Sequence, residues 1–300
     1  MKTQGEENLL SREEIRRIGR LSFLISRKMG GRDAGGQLSK RTGEGMEFTG
    51  YQDYQCGDDL RYLDWNLYAR SDRLYLKRFS QEKELTIYIL LDVSRSMSLG
   101  EPSKLAVARK VSAGLAYIAL RRFYHAGLFF FSSGIKNAVP PLRGERHLMT
   151  IFRSLQNVCV TDTTDLTRSL KEFAKRDLRN GLVILISDLF APSGYEEGLL
   201  SLLYKGHSIG ILHLLSSEDL SPSLEEGAYR LEDAETGEAF WIDEVVGPMA
   251  AYREHIDSYQ EDLRTFCHRR GIYYSMTPAT QPVEQILWDL LSGLRRIKRW

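Results

Sequence analysis

Leu85-Thr86-Ile87-Tyr88-Ile89-Leu90-Leu91-Asp92-Val93-Ser94-Arg95-Ser96 is the stretch on which the fold turns. Its first seven residues are almost continuously apolar, as expected of a strand buried on both faces. The run then stops at a polar D-x-S-x-S. Beyond it Leu105, Ala108, Val111, Leu115 and Ile118 recur at helical spacing. A buried strand, a polar loop and a helix make the opening of an α/β unit.

The alternation continues along the chain. Strands are expected at Gly127–Phe131, Leu182–Ser187, Ser208–Leu214 and Ile272–Ser275, with a short edge strand near Lys136–Val139. Helices are expected near Glu145–Asn157, Asp165–Lys175, Glu196–Tyr204, Met249–His268 and Glu284–Lys298. Elements of these lengths predict an α/β fold, a mostly parallel sheet with helices on both faces. One insertion interrupts it. Residues 228–243 carry Tyr229/Leu231 and Phe240/Ile242 at period two around Thr236-Gly237, which predicts a hairpin.

Residues 1–80 differ in character. Ser11 and Glu14 fit a capping box for an amphipathic helix over 11–29, with Ile15, Ile18, Leu21, Leu24 and Ile25 on the face expected to dock on the core. Seven glycines between Gly30 and Gly50 mark loops and tight turns. From Glu47 to Phe79 short strands are expected, with turns at Cys56-Gly57-Asp58 and Arg70-Ser71-Asp72. Within Gly57–Trp65 an Asp–Arg network built on Asp58, Asp59 and Arg61 is expected, with Tyr62 and Trp65 in an apolar seam. A second cation site at Asp58, Asp59 and Asp64 is the alternative. The expected organisation is thus an N-terminal segment, 1–80, and an α/β domain, 81–300.

Composition narrows the function. Apolar residues at 42% and charged residues at 27% exclude a disordered or collagen-like chain. Lys plus Arg against Asp plus Glu is 41 against 40, a net charge of +1, so no overall field draws nucleic acid or anionic lipid. Cys56, Cys159 and Cys267 are odd in number and far apart, which predicts reduced thiols and neither a disulfide framework nor a zinc pair. The N-terminus lacks an apolar signal-like core. The longest apolar runs fall far short of the roughly 18–20 residues that cross a bilayer. A cytoplasmic protein without integral membrane segment is expected. The basic end of the last helix, Leu294–Trp300, suits a helix C-terminus.

Ligands of open parallel sheets sit beyond the carboxyl ends of the strands. There lie Asp92, Ser94 and Ser96 after the first buried strand, and Asp188 after Leu182–Ser187. Thr164 stands in a loop before a helix, with Thr163 beside it as the alternative. Two carboxylates and three neutral hydroxyls suit Mg²⁺, or Mn²⁺, which takes six hard oxygen ligands and keeps some waters. Such an ion retains Lewis acidity for one more anion, for example a partner's carboxylate. No general base is evident, because the six histidines (125, 147, 207, 213, 255 and 268) show no pairing with these loops. The glycines of residues 31–38 lack the lysine of a P-loop. Ser94 stands where an aspartyl phosphatase places its acid–base carboxylate.

With these residues in hand, residues 85–280 resemble a von Willebrand factor A-like domain. Its metal-ion-dependent adhesion site uses D-x-S-x-S, a loop Thr and a loop Asp, which match Asp92, Ser94, Ser96, Thr164 and Asp188. Gly43–Phe48, Tyr54, Gly57–Trp65 and Ala69-Arg70 resemble a bacterial family of uncharacterised proteins that couples this stretch to such a domain. That family's genes commonly neighbour those of MoxR-type AAA+ ATPases. The resemblance implies a non-enzymatic, metal-dependent interaction module whose partner is such an ATPase or its client. A Mg²⁺-dependent phosphoryl-transfer enzyme on the same edge, or a metal-free scaffold, is the alternative.

Overall fold

The computed structural model describes residues 9–11, 13–20, 46–81, 85–161, 163–191, 193–220, 229–232, 239–242 and 246–295. The chain forms two compact units, Met1–Lys28 with Leu85–Trp300, and Met29–Glu84. The expected division after residue 80 therefore falls at Glu84, and the N-terminal helix goes with the large unit, not with the segment that follows it. Its described part is α1 (residues 13–20). The capping box forms: Ser11 N donates to Glu14 Oε2 at 2.6 Å and Glu14 N to Ser11 Oγ at 3.1 Å. Ile18 is fully buried and Lys110 Nζ lies 3.1 Å from Glu14 Oε1, which explains the assignment. The rest of 11–29 and the glycines of 30–45 lie outside the described residues.

In the small unit β1 (Met46–Asp53) pairs antiparallel with β2 (Tyr75–Gln81), and α2 (Trp65–Ser71) lies between them in sequence. The expected turn at 56–58 is present, with Asp58 N bonded to Gln55 O and Gly57 at φ +106°. Arg70-Ser71-Asp72 is instead the end of α2, closed by Asp72 in the left-handed region at φ +53°. The overlooked signal was Asp64, whose Oδ1 accepts from Asn66 N and Leu67 N and starts the helix. Its other oxygen takes Tyr51 Oη at 3.0 Å and Lys77 Nζ at 3.4 Å. Asp59 is paired with Arg61 at 2.6 Å. Of the expected Asp–Arg network the Asp59–Arg61 pair forms, whereas Asp58 Oδ2 accepts from Gln55 N at 2.9 Å. Trp65, expected in an apolar seam, is 63% exposed because it opens α2, and it meets Tyr68 edge-on.

The large unit runs β3 (Thr86–Asp92), α3 (Lys104–Arg121), β4 (His125–Phe131), β5 (Ile135–Arg143), α4 (Leu148–Gln156), α5 (Leu166–Ala174), β6 (Leu182–Ser187), α6 (Glu196–Tyr204) and β7 (Ser208–Leu215). It continues through the short α7 (Ser217–Leu220), β8 (Tyr229–Glu232), β9 (Ala239–Ile242), α8 (Val246–Arg270), β10 (Tyr273–Pro278) and α9 (Val283–Leu294). The sheet order is β10-β7-β6-β3-β4-β5. All neighbours are parallel except β5, which runs antiparallel to β4 at the edge and carries Pro140 and Pro141. This is a mixed α/β, Rossmann-like architecture, as the alternation predicted. The chain leaves β3 toward β4 and later returns on its other side with β6, so the strand order reverses between β3 and β6. Such a reversal opens a crevice at the carboxyl ends.

Every residue of β3 is buried. Tyr88 and Leu90 pack with Phe129, Val183, Leu185 and Ile211 beneath Leu170, Phe173, Leu199 and Leu263 of α5, α6 and α8. Alternation along the strand turns Ile87, Ile89 and Leu91 to the opposite face. On α3, a Cβ added at Gly114 would meet Leu287 of α9 and Ile18 of α1. At Gly181 a Cβ would fall 2.3 Å from the Thr86 carbonyl oxygen, so only glycine lets β6 enter beside β3. The predicted hairpin pairs Tyr229 with Ile242 and Leu231 with Phe240, while its turn at Thr236-Gly237 lies outside the described residues. So do residues 296–300 of the basic C-terminus. The three cysteines are free.

Candidate metal centre at the strand ends

Parallel pairing of β3 with β6 brings Leu91 opposite Ile186, which sets Asp92 beside Ser187. Ser187 Oγ donates to Asp92 Oδ2 at 2.6 Å, and Ser94 N donates to Asp92 Oδ1 at 2.9 Å. The Ser94 and Ser96 hydroxyl oxygens are 3.1 Å apart. Asp92 and Ser94 are fully buried. A 3₁₀ turn over Arg95–Ser98 follows, and Ser94 occupies its N-cap position without a side-chain cap bond. The next helix, α3, is capped by Ser103 instead. The two D-x-S-x-S hydroxyls are therefore not consumed in capping.

The loop before α5 runs along the same edge. Thr161 bridges Ser94 in parallel fashion, and its N–H donates to the Val93 carbonyl at 2.8 Å. Asp165 caps α5 through Arg168 N. Thr163 is exposed, whereas the Thr164 hydroxyl oxygen is shielded from solvent, a contrast that favours Thr164. Asp188 follows β6, 1% exposed, and Leu189 after it adopts φ +55°. That left-handed residue is held by Leu189 N donating to Ser187 Oγ at 2.9 Å and Tyr259 Oη donating to Leu189 O at 2.7 Å. Asp92, Ser94 and Ser96 thus touch directly, Asp188 flanks them by strand register, and Thr164 arrives on the neighbouring loop.

Sequence reasoning missed three contributors. Lys104, the first residue of α3, is 1% exposed, and its Nζ lies 2.8 Å from Asp188 Oδ2 and 2.8 Å from Asp219 Oδ2. Asp219 follows β7 and is fixed by a capping box: Ser216 N donates to Asp219 Oδ2 at 2.8 Å and Asp219 N to Ser216 Oγ at 3.1 Å. The Ser216-x-x-Asp219 spacing after a buried strand was a legible signal. The third is His213, so the expectation that no histidine meets these loops is corrected. His213 lies at the end of β7, where register puts it opposite Ser187. Its Nε2 is 2.8 Å from the Asp188 carbonyl and its Nδ1 2.8 Å from Tyr274 Oη. A carbonyl only accepts, so Nε2 carries the proton and Nδ1 accepts from the tyrosine.

Burial, then the neighbouring Asp188, pushes the Asp92 carboxyl up to about 7, against the hydrogen bonds from Ser187 and Ser94. Burial pulls Lys104 down, but Asp188 and Asp219 outweigh it and the ammonium is held above its ordinary value. Burial pulls His213 down to about 4, so the imidazole is neutral, with both nitrogens engaged.

A buried carboxylate whose charge is disfavoured gains from a cation, and the hydroxyls beside it offer hard oxygens. On those grounds Asp92, Ser94, Ser96 and Thr164 fit a Mg²⁺ or Mn²⁺ ion. Asp188 fits less directly, since Lys104 already holds one of its oxygens. Among the described residues, no group of three or more His, Cys, Asp or Glu is placed to hold a metal, so hydroxyls carry this candidate. Beside it opens a cleft of about 510 Å³, with Val93 and Thr161 in its wall and Lys136 and Arg153 contributing two cations. Among the described residues, no helix is long and apolar enough to cross a membrane.

A family model described as "Protein of unknown function DUF58" matches residues 50–265. The chain is 25% identical over 225 residues to "Uncharacterized protein Rv1480" of Mycobacterium tuberculosis, covering 72% of this chain and 69% of the relative. "Uncharacterized protein Mb1516" of Mycobacterium bovis matches to the same extent. Among solved structures, the conserved hypothetical protein BatB from Bacteroides thetaiotaomicron aligns at TM-score 0.43 and 13% identity, over 71% of this chain and 99% of that one. An aerotolerance-related membrane protein from Bacteroides fragilis aligns at TM-score 0.45 and 14% identity, with the same coverage.

Proposed function

Since the chain belongs to the DUF58 family, whose description leaves its function open, we propose from its strand-end chemistry a non-enzymatic, metal-dependent protein-interaction module. In this reading the large unit is a von Willebrand factor A-like domain. Asp92, Ser94, Ser96, Thr164 and Asp188 form its metal-ion-dependent adhesion site, and Mg²⁺ or Mn²⁺ is the ion. When bound, the ion supplies a Lewis-acidic position for an Asp or Glu of a partner. The observation that carries the proposal is the cluster at the β3–β6 reversal, where buried Asp92 accepts from Ser94 N and the Ser94 and Ser96 hydroxyls, which cap no helix, lie 3.1 Å apart beside it.

The chain's own residues divide the work. Ser94 and Ser96 offer neutral oxygens, which leave positive charge on the ion for the incoming carboxylate. Ser187 orients Asp92 from the neighbouring strand. His213 fixes the backbone at Asp188, bonding its carbonyl through Nε2 and Tyr274 Oη through Nδ1. Lys136 and Arg153 in the adjoining cleft complement further acids on the partner segment.

The proposed partner, from the motif resemblance at Gly43–Arg70 and the strand-end set, is a MoxR-type AAA+ ATPase or its client, met in the cytoplasm. The test is retention of such an ATPase on the immobilised full-length chain, in Mg²⁺ and in EDTA, for the wild type and for Asp92→Asn. The conservative variant keeps an acceptor for Ser94 N. Retention in Mg²⁺ alone, lost in the variant, is expected. Equal retention under all conditions overturns the proposal, and Mg²⁺-dependent phosphatase turnover lost in Asp92→Asn would replace it with the enzymatic reading.

A further inference from the structure

Three carboxylates, Asp92, Asp188 and Asp219, end or follow three adjacent parallel strands, β3, β6 and β7. One ammonium is buried beside them and pairs with the middle carboxylate and that of β7: Lys104 Nζ is 2.8 Å from both Asp188 and Asp219, and it lies 5.5 Å from the centroid of the Phe190 ring. The placement is costly on local grounds. A cation at the first residue of a helix opposes the helix dipole, and a long charged side chain at 1% exposure has lost its hydration. Simple solvation would put this lysine on the surface. Two short ion pairs instead hold it inside, on the same edge as the candidate ion.

The inference rests on the proposed metal reading and deepens it. We infer that Lys104 is a resident counter-cation that regulates ion occupancy at this edge, keeping the Asp188 carboxylate from direct contact with an ion held by Asp92, Ser94 and Ser96. Asp188 then reaches that ion only through water, and the ammonium repels the ion besides. Capture becomes readily reversible, because part of the site's negative charge is permanently answered from within. Asp219 anchors the ammonium from the far side, and its capping box fixes that anchor rigidly.

Removing Lys104 alone would leave the buried Asp188 and the partly buried Asp219 carboxylates unanswered, and that variant can fail to fold for this reason. The informative variant is therefore Lys104→Met with Asp219→Asn. It removes one charge of each sign, leaves the formal sum of the edge unchanged, and frees Asp188. Lys104→Arg, which keeps the charge, serves as the control. Full-length proteins are titrated with MgCl₂ and with MnCl₂ by calorimetry, and melted with and without each salt. The double variant should bind at least about tenfold more tightly than the wild type, because a direct carboxylate ligand replaces a water-mediated one, and its Tm should rise more with metal. Lys104→Arg should bind no more tightly than the wild type. Binding by the double variant alone also supports the inference, since the lysine then holds the ion's place in the wild type. A folded double variant that binds no more tightly than a metal-binding wild type overturns the inference and leaves the metal reading standing. No binding by any of the proteins removes both.

Discussion

Ser187 Oγ donates a 2.6 Å hydrogen bond to Asp92 Oδ2, tying together the ends of two parallel strands 95 residues apart in sequence. The same oxygen accepts from Leu189 N at 2.9 Å. One hydroxyl thus holds both the candidate ligand Asp92 and the left-handed Leu189 that directs the chain after Asp188. Ser187→Ala should lower stability by about 1–3 kcal/mol, the usual consequence of stranding buried hydrogen-bonding groups. Urea denaturation at neutral pH measures it. A midpoint equal to the wild type would show that neither bond contributes.

Gly181→Ala should destabilise the large unit by at least about 1–3 kcal/mol, as overpacking against a fixed wall does. The obstacle is the Thr86 carbonyl, a backbone atom of the first residue of β3, 2.3 Å from the new methyl. Gly144→Ala meets nothing within 4 Å, and there only the φ of +91° opposes the change. Thermal melts of the two variants should separate steric from conformational cost, with Gly181→Ala the lower.

Acid should weaken the fold through His207. Its ring is buried against Tyr88 and Phe173, and burial lowers its pKa. The unfolded chain then takes up a proton near pH 6.5 that the folded chain still refuses. The contribution is complete above that pH and declines as pH falls. Urea midpoints at pH 7.5 and 5.5 should differ less in His207→Gln than in the wild type. An identical pH dependence in both proteins would assign the acid sensitivity elsewhere.

Charge reversal in the cleft should separate partner binding from ion binding. Lys136→Glu with Arg153→Glu places two acids on its walls and should cut retention of an acidic partner by about tenfold or more. The midpoint of Mg²⁺ titration should move far less than retention does. Loss of ion affinity with no change in retention would contradict the role given to the cleft.

The sheet was legible because its central strands are written as almost continuous apolar runs: LTIYILL and LVILIS admit little else at that length. The edge position of β5 was legible too, since Lys136–Val139 leads into two prolines. The D-x-S-x-S and the acid after β6 followed from the rule that function gathers at carboxyl ends. Lys104 was not legible. Its sequence context, Ser103-Lys104-Leu105, is that of an ordinary solvated first turn, and only the convergence of Asp188 and Asp219 from distant strands draws it inward. His213 was hidden for a similar reason, as one polar residue inside an apolar strand whose partners, Asp188 O and Tyr274, lie on two other elements. Helix α2 was missed because aromatic residues at Trp65 and Tyr68 imitate a strand, and its cap, Asp64, also reads as one of three acids of a cation site.

Pro140 and Pro141 on the outermost strand have a consequence for self-association. Neither residue has an amide hydrogen, so this rim of the sheet offers an incomplete template to any foreign strand. Growth by strand addition is discouraged along that border at a place remote in kind from the hydroxyl-and-carboxylate crevice. Contacts made through loop chemistry are therefore left free of competition from sheet extension on that side.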